Sequence, residues 1–124
     1  MKHILAVAAL AATAFVAKAQ TVPVTLSEWK IEMPSDTVKA GTVIFRIKNA
    51  GRVTHDFYVK GPGANKGSRE ISAGQETRFT VTLRPGTYEI YCPLAEMTHK
   101  MAGMSMTLVV TAATPAAAAK KPAP

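Results

Sequence analysis

The residue types best suited to bind a metal are concentrated in one segment near the end of the chain. Cys92 is the only cysteine; six residues separate it from His99, and four more separate His99 from Met104. Another histidine, His55, lies far upstream. A thiolate, two imidazoles and a weak thioether form the ligand set of a blue-copper electron-transfer site. If folding brings them together, these four residues can hold one copper ion.

Cys92 need not be a metal ligand, judged by its residue type alone. Small exported proteins usually pair their cysteines, and a single cysteine has no partner within its own chain. It could be a metal ligand, a buried inert thiol, half of an intermolecular disulfide or a catalytic nucleophile. A nucleophile would need His99 as its base and a third, orienting group that the spacing does not indicate. We therefore expect a protein that is not an enzyme.

The two ends of the chain differ in composition from its middle. A short basic start, an apolar run over residues 4–17 and the small residues around Lys18 predict a secretory signal peptide over residues 1–19. The alternative is an uncleaved membrane anchor, although the run is shorter than the roughly 20 residues of a spanning helix. Residues 111–124, mostly Ala, Pro and Lys, predict a flexible tail. One domain remains over residues 20–110, and we expect it in the periplasm.

The mature chain is predicted to be basic. Without residues 1–19, thirteen lysines and arginines face eight acidic residues. The basic residues are spread singly along the sequence, which does not favour nucleic acid as a partner. We expect a monomer without a membrane span, whose redox partner is a cytochrome, terminal oxidase or reductase with an acidic face. An ordinary solvated surface accounts for the same charge equally well.

Short strands joined by turns dominate the predicted domain. Turn-forming groups of Gly, Pro, Asn, Asp and Ser recur about every ten residues. Between them apolar and polar residues alternate, as in half-buried strands. The clearest alternating sets are Val22, Val24 and Leu26; Val43, Phe45 and Ile47; and Phe79, Val81 and Leu83. This pattern predicts an antiparallel all-β sandwich or barrel, with Trp29, Phe45, Phe57 and Phe79 in its core.

The same alternation places the metal-binding residues. His55 lies on the same face of its strand as Phe57, and Cys92 lies on the same face as Ile90. Both ligands should therefore point into the domain. Alternation resumes in a closing strand after residue 104, so residues 93–104 would form a loop anchored at both ends. Such a loop can impose a preset geometry on its ligands.

These segments together resemble the cupredoxins, the plastocyanin- and azurin-like type 1 blue-copper proteins. Residues 24–43 look like the opening strands of that family, residues 53–57 are similar to its first-histidine strand, and residues 86–104 to its ligand loop. The resemblance implies a Greek-key β-sandwich or barrel of about seven to eight strands. It also implies one copper ion, with His55, Cys92 and His99 as strong ligands and Met104 as the weak axial ligand.

Two features depart from the family pattern. The family commonly has two or four residues between its cysteine and second histidine, whereas this chain has six. The longer loop could allow Met97 or Met101 to replace Met104 as the thioether ligand. Asp56 stands where Asn is usual, and an ionised carboxylate can only accept hydrogen bonds. The backbone N–H of Asp56 could still reach the Cys92 sulfur.

Three functions remain open from the sequence. The preferred interpretation is a soluble one-electron carrier, because soft and hard ligands on a stiff scaffold rearrange little between the oxidation states of copper. The second is a copper-binding or delivery protein of the same fold, which the additional methionines favour. The third is a metal-free β-sandwich used for adhesion or assembly. The visible spectrum after adding copper distinguishes among them.

Overall fold

The computed structural model describes residues 18–113, most of which lie in strands and turns. Within this range there are nine strands and one short helix, α1 (Thr98–Met101). The strands are β1 (Gln20–Ser27), β2 (Lys30–Glu32), β3 (Thr37–Lys39), β4 (Gly41–Asn49), β5 (Tyr58–Gly61), β6 (Ala64–Gly67), β7 (Glu76–Leu83), β8 (Gly86–Tyr91) and β9 (Ser105–Thr111). In the described range no helix has the length and apolar character to cross a membrane.

The predicted chain ends fall largely outside this range. Residues 1–17, which hold most of the predicted signal peptide, and residues 114–124, which hold most of the predicted tail, are not among the described residues. At the other boundary β9 continues to Thr111, one residue past the expected end of the domain. The first strand begins at Gln20, where the domain was expected to start.

The strands form two sheets, and the predicted all-β sandwich is confirmed. One sheet has the order β2-β1-β4-β7, and the other has the order β3-β9-β8-β5-β6. Two pairs are parallel, β1 with β4 and β3 with β9, whereas a purely antiparallel arrangement was expected from the sequence. β1 and β4 are parallel because the chain leaves the first sheet through β3 and returns in β4, which then runs in the direction of β1.

The core lies between the two sheets and supports the end of the sandwich that carries the ligands. The predicted alternation is confirmed in β1, β4 and β7, where the predicted apolar sets are buried and the residues between them are not. Phe45 packs against Phe57 and Phe79 at ring-centroid distances of 4.9 and 6.4 Å. Burying one such side chain contributes about 1.5–3 kcal/mol. Phe57 therefore anchors the segment that carries His55 firmly to the core.

Trp29 is not part of this core, so that prediction was wrong. The residue lies in the turn between β1 and β2, and 42% of its surface is exposed. The alternation that buries Leu26 ends with β1, and the turn carries the indole to the end of the sandwich instead of between the sheets. The predicted placement of Phe45, Phe57 and Phe79 in the core is confirmed.

Candidate metal centre

Three of the four predicted ligands meet at one end of the sandwich. The ligand atoms of His55, Cys92 and His99 all lie within 4.8 Å of one another. His55 precedes β5 and is fixed by two backbone hydrogen bonds with Ile71, of 3.1 and 2.7 Å. Cys92 directly follows β8, and His99 lies in α1. The cluster therefore combines three separate elements that the core holds in place.

The ring nitrogens of the two histidines have different surroundings. The buried Nδ1 of His55 has no hydrogen-bond partner in the described part of the chain, while its Nε2 lies 3.2 Å from a carboxylate oxygen of Glu28. The Nδ1 of His99 lies 3.5 Å from the Sγ of Cys92. Because buried polar atoms nearly always have a partner, the unpartnered nitrogen indicates a position for a metal ion. The residues present fit a copper ion, which binds imidazole nitrogen and thiolate sulfur.

Burial sets the protonation of two of these ligands. Burial lowers the pKa of His55 below its usual value, although the contact with Glu28 acts in the opposite direction. The ring is therefore neutral at pH 7 and able to coordinate. Burial also raises the pKa of the Cys92 thiol, so without metal the sulfur keeps its proton. Metal binding must then release that proton, which makes the affinity rise with pH.

Asp56 contributes through its backbone. Its N–H donates to the Sγ of Cys92 at 3.3 Å, the contact that the sequence suggested. Its carboxylate instead accepts hydrogen bonds from the Phe57 N–H at 2.6 Å and the Ser68 hydroxyl at 2.9 Å. A hydrogen bond to the sulfur tunes the donor strength of a thiolate. The aspartate thus orders the segment between His55 and β5, and the sulfur is contacted by a neutral N–H donor.

Met104 is better placed for the thioether role than the other two candidates. Its side chain is fully buried, its N–H donates to the His99 carbonyl at 3.1 Å, and its carbonyl accepts from the Cys92 N–H at 3.1 Å. Met97 and Met101 are 40% and 84% exposed. The backbone of Met104 is therefore tied to two predicted ligands, and this arrangement favours Met104 as the axial donor.

The long spacing between Cys92 and His99 is accommodated by an unusual turn and not by an irregular loop. Ala95, Glu96 and Met97 have left-handed backbones, with φ of 54°, 52° and 71°. Each such residue costs about 1–2 kcal/mol. The Met97 N–H donates to the Pro93 carbonyl at 3.1 Å, and α1 follows at once. This left-handed turn takes up the extra residues and returns His99 to the thiol.

Comparison with known proteins establishes the family. The profile of the cupredoxin-like domain matches residues 2–110. The chain belongs to the cupredoxin-like family. Auracyanin B superposes with a TM-score of 0.63 and 24% identity, over 74% of this chain and 88% of that one. Auracyanin A, a blue copper protein of Chloroflexus aurantiacus, gives a TM-score of 0.58 and 21% identity, over 76% of this chain and all of the other. In this cupredoxin His55, Cys92 and His99, with Met104 nearby, form a possible type 1 copper site.

One curated relative is named as a component of an iron uptake system. This cupredoxin is 34% identical over 94 residues to the iron uptake system component EfeO of Escherichia coli strain K12. The match covers 73% of this chain and 25% of the relative. The chain thus spans about a quarter of the length of the curated relatives it matches.

The turn between β1 and β2 supplies two site residues that sequence reasoning missed. The Trp29 ring lies against His99, with centroids 4.7 Å apart, and against His55 at 6.1 Å. Glu28 contacts the outer nitrogen of His55. The pKa of Glu28 is lowered to about 2, chiefly because its carboxylate accepts the backbone N–H of Val53 and also that of Arg52, while partial desolvation opposes the shift. No sequence signal indicates these contacts, because the turn and the histidines are far apart along the chain.

Asn49 is a further residue whose role the sequence did not show. It is fully buried at the end of β4, and its side-chain amide donates to the carbonyls of Val53 at 2.8 Å and Ile71 at 2.7 Å. Its side-chain oxygen accepts the N–H of Gly51 at 2.9 Å. A fully satisfied buried network of this kind makes the backbone rigid. Asn49 therefore fixes the segment that leads into His55.

Proposed function

We propose that this cupredoxin is an exported, mononuclear type 1 copper protein that carries one electron between redox partners. The observation that carries the proposal is the unpartnered, buried Nδ1 of His55 beside the Cys92 thiol and the His99 ring. Copper bound there would supply a one-electron couple. One electron would be taken up from a donor protein and passed to an acceptor protein. The three clustered ligands would fix the position of the ion, provide the negative charge of the thiolate and keep water away from the metal.

Preorganisation supports the carrier function. His55 and Cys92 are fully buried, and the Cys92 backbone is bonded to Met104 across the mouth of the loop. The three strong donors lie within 4.8 Å of one another on elements that the core holds in place, so little has to move when the charge of a bound ion changes. Fast electron transfer needs such a fixed ligand geometry.

His99 is the proposed point at which electrons enter and leave. It is the least buried of the three clustered ligands. Among the described residues, several large apolar side chains are exposed near this end, and we name them the apolar rim: Trp29, Val53, Met97 and Met101. Scattered apolar residues are ordinary on a surface, but a group beside a ligand suits brief contact with a partner. We propose this rim as the docking face for a redox protein.

The basic charge of the mature chain supports a partner with an acidic face. Lys100 lies next to His99, pairs with Glu89 and sits 4.7 Å above the Tyr91 ring. Opposite charges steer encounter, and salt screens them over about 8–10 Å. We expect reduction by an acidic-faced cytochrome or oxidase to slow as salt rises, and Lys100→Glu to slow it more than Lys66→Glu. Rates that do not change with salt would contradict the steering.

A single copper centre supports a carrier and not an enzyme. Two of the three histidines in the sequence already belong to the cluster. Few imidazoles are therefore left for the further copper centres that oxidases and reductases of this superfamily use. We propose no substrate other than the redox partners.

A second candidate function is metal binding or delivery for an uptake system. The similarity to a protein named as an iron uptake system component favours it, and so do the exposed Met97 and Met101 as soft donors. Repeated reduction and oxidation of the copper-loaded protein in the presence of a soft chelator separates the two functions. A carrier keeps its copper and its colour through the cycles. A delivery protein loses copper to the chelator in the reduced state.

A further inference from the structure

One oxygen of the Glu28 carboxylate lies within hydrogen-bonding distance of two backbone N–H groups and of a ring nitrogen of His55, beside the candidate metal centre. This oxygen, Oε1, lies 2.8 Å from the Arg52 nitrogen, 2.9 Å from the Val53 nitrogen and 3.2 Å from the Nε2 of His55. The Arg52 and Val53 nitrogens are backbone donors of the segment that leads into His55. The carboxylate therefore joins the turn between β1 and β2 to the backbone and the ring of the first ligand.

The neighbouring glycine leaves the space that this carboxylate occupies. A Cβ on Gly51 would overlap Oε1 of Glu28 and lie 2.7 Å from Oε2, closer than real Cβ atoms come to other atoms. The Gly51 N–H is also bonded to Asn49, so the backbone at this position cannot easily move aside. The carboxylate thus sits in a cradle formed by two N–H groups and a missing side chain.

The contact with Glu28 determines which nitrogen of the His55 ring carries the proton. An ionised carboxylate can only accept, so the Nε2 of His55 must carry the proton and Nδ1 must present its lone pair to Cys92 and His99. A carboxylate behind a ligating imidazole also makes the ring a stronger donor. A stronger donor with negative charge behind it stabilises the oxidised metal ion more than the reduced one.

We propose that Glu28 is a positioning residue that fixes the tautomer of His55 and lowers the reduction potential of the copper site. This inference rests on the proposed function for its redox part, whereas the tautomer part concerns the metal-free chain. Glu28 acts through His55 and is not itself a ligand.

The first experiment needs no metal. Heteronuclear NMR of the labelled metal-free protein at about pH 8, above the ordinary histidine pKa, reports which ring nitrogen of His55 is protonated. We expect a single tautomer with Nε2 protonated in the wild type, and a mixture of tautomers in Glu28→Ala. A wild-type ring protonated on Nδ1, or an unchanged tautomer in Glu28→Ala, would overturn the positioning role.

The second experiment measures the potential of the copper-loaded protein. Glu28→Gln keeps the shape of the side chain and removes its charge. Replacing a residue that contacts a metal ligand typically changes metal affinity or activity by about 10–100-fold. We therefore expect the preference of the site for oxidised over reduced copper to fall about tenfold, the lower end of that range. For one electron that is a rise of ~59 mV. Gly51→Ala, which displaces the carboxylate without removing its charge, should raise the potential in the same direction. Glu32→Gln removes an exposed carboxylate on β2 and should leave the potential unchanged.

The outcomes separate this inference from the proposed function. A coloured wild type whose potential is equal in Glu28→Gln and Glu32→Gln would overturn the role of Glu28 and leave the carrier function intact. A colourless wild type would overturn the carrier function, and the NMR experiment would still decide the tautomer. If Glu28→Gln does not fold, Gly51→Ala gives the test, and an unchanged potential in that variant counts against the proposal.

Discussion

Replacing Met104 with leucine tests which thioether acts as the axial ligand. Met104 is fully buried, and a truncation to alanine at such a site would cost about 2–5 kcal/mol and disturb the loop. Leucine has nearly the same volume, so Met104→Leu should cost less than about 1.5 kcal/mol. At about 4–8 °C per kcal/mol for a domain of this size, the unfolding temperature should fall by no more than roughly 12 °C. The variant should therefore fold and keep the other three ligands.

Loss of the sulfur should change the redox behaviour more than the stability. A weak axial donor stabilises oxidised copper more than reduced copper, so Met104→Leu should keep copper and colour while the potential rises. A tenfold loss of the preference for the oxidised ion corresponds to ~59 mV for one electron, and we expect a rise of about that size or more. Voltammetry of the purified proteins measures it directly.

Met97→Leu is the matched control. Met97 is 40% exposed and lies in the left-handed turn, so its replacement should change stability by about 0.5 kcal/mol or less and leave the potential nearly unchanged. If Met97→Leu raised the potential and Met104→Leu did not, the longer loop would have given the axial role to Met97. That result would refute the assignment based on burial and backbone contacts.

Three further predictions concern the metal-free chain and its tryptophan. Ala95→Gly should raise the free energy of unfolding by about 0.5–1 kcal/mol, because removing the steric strain of the left-handed backbone outweighs the entropy cost of ordering glycine. Denaturant unfolding measures this change, and a loss of stability would contradict the left-handed turn. The stability advantage of the wild type over Glu28→Gln should shrink as pH falls from about 4.5 to about 2, because the Glu28 carboxylate becomes protonated in the folded state over this range. If the difference between the urea midpoints of the two proteins stayed constant over this range, the result would count against the contact. Copper should quench the emission of Trp29, the only tryptophan, since its ring lies against His99; unchanged fluorescence at full loading would rule out that proximity.

The strands could be predicted because alternation reports which face is buried. The sets around Val24, Phe45 and Val81 correspond to β1, β4 and β7, and each is buried on the predicted face. Strand partners could not be predicted in this way, since alternation says nothing about which strand lies beside another. The parallel pairing of β1 with β4 depends on β3 crossing to the other sheet, a property of the whole chain path.

The site was predictable as far as it depends on rare residue types. One cysteine and two histidines at characteristic places identify the cluster, because few other donors compete. Glu28 and Trp29 could not be found, since glutamate and tryptophan are not type 1 copper ligands and their contacts arise from a turn that the fold brings to the same end. The left-handed turn after Leu94 was equally hidden, because its three residues carry no glycine to indicate it.

The most direct test of the copper site is a copper titration followed by visible absorption, with Cys92→Ser as the matched variant. The wild type should bind one equivalent of oxidised copper and develop an intense thiolate-to-copper absorption band. Cys92→Ser should fold to the same circular dichroism spectrum and show no such band, because its hydroxyl cannot provide the thiolate. A wild type that is saturated with copper and remains colourless would contradict a type 1 site at His55, Cys92 and His99.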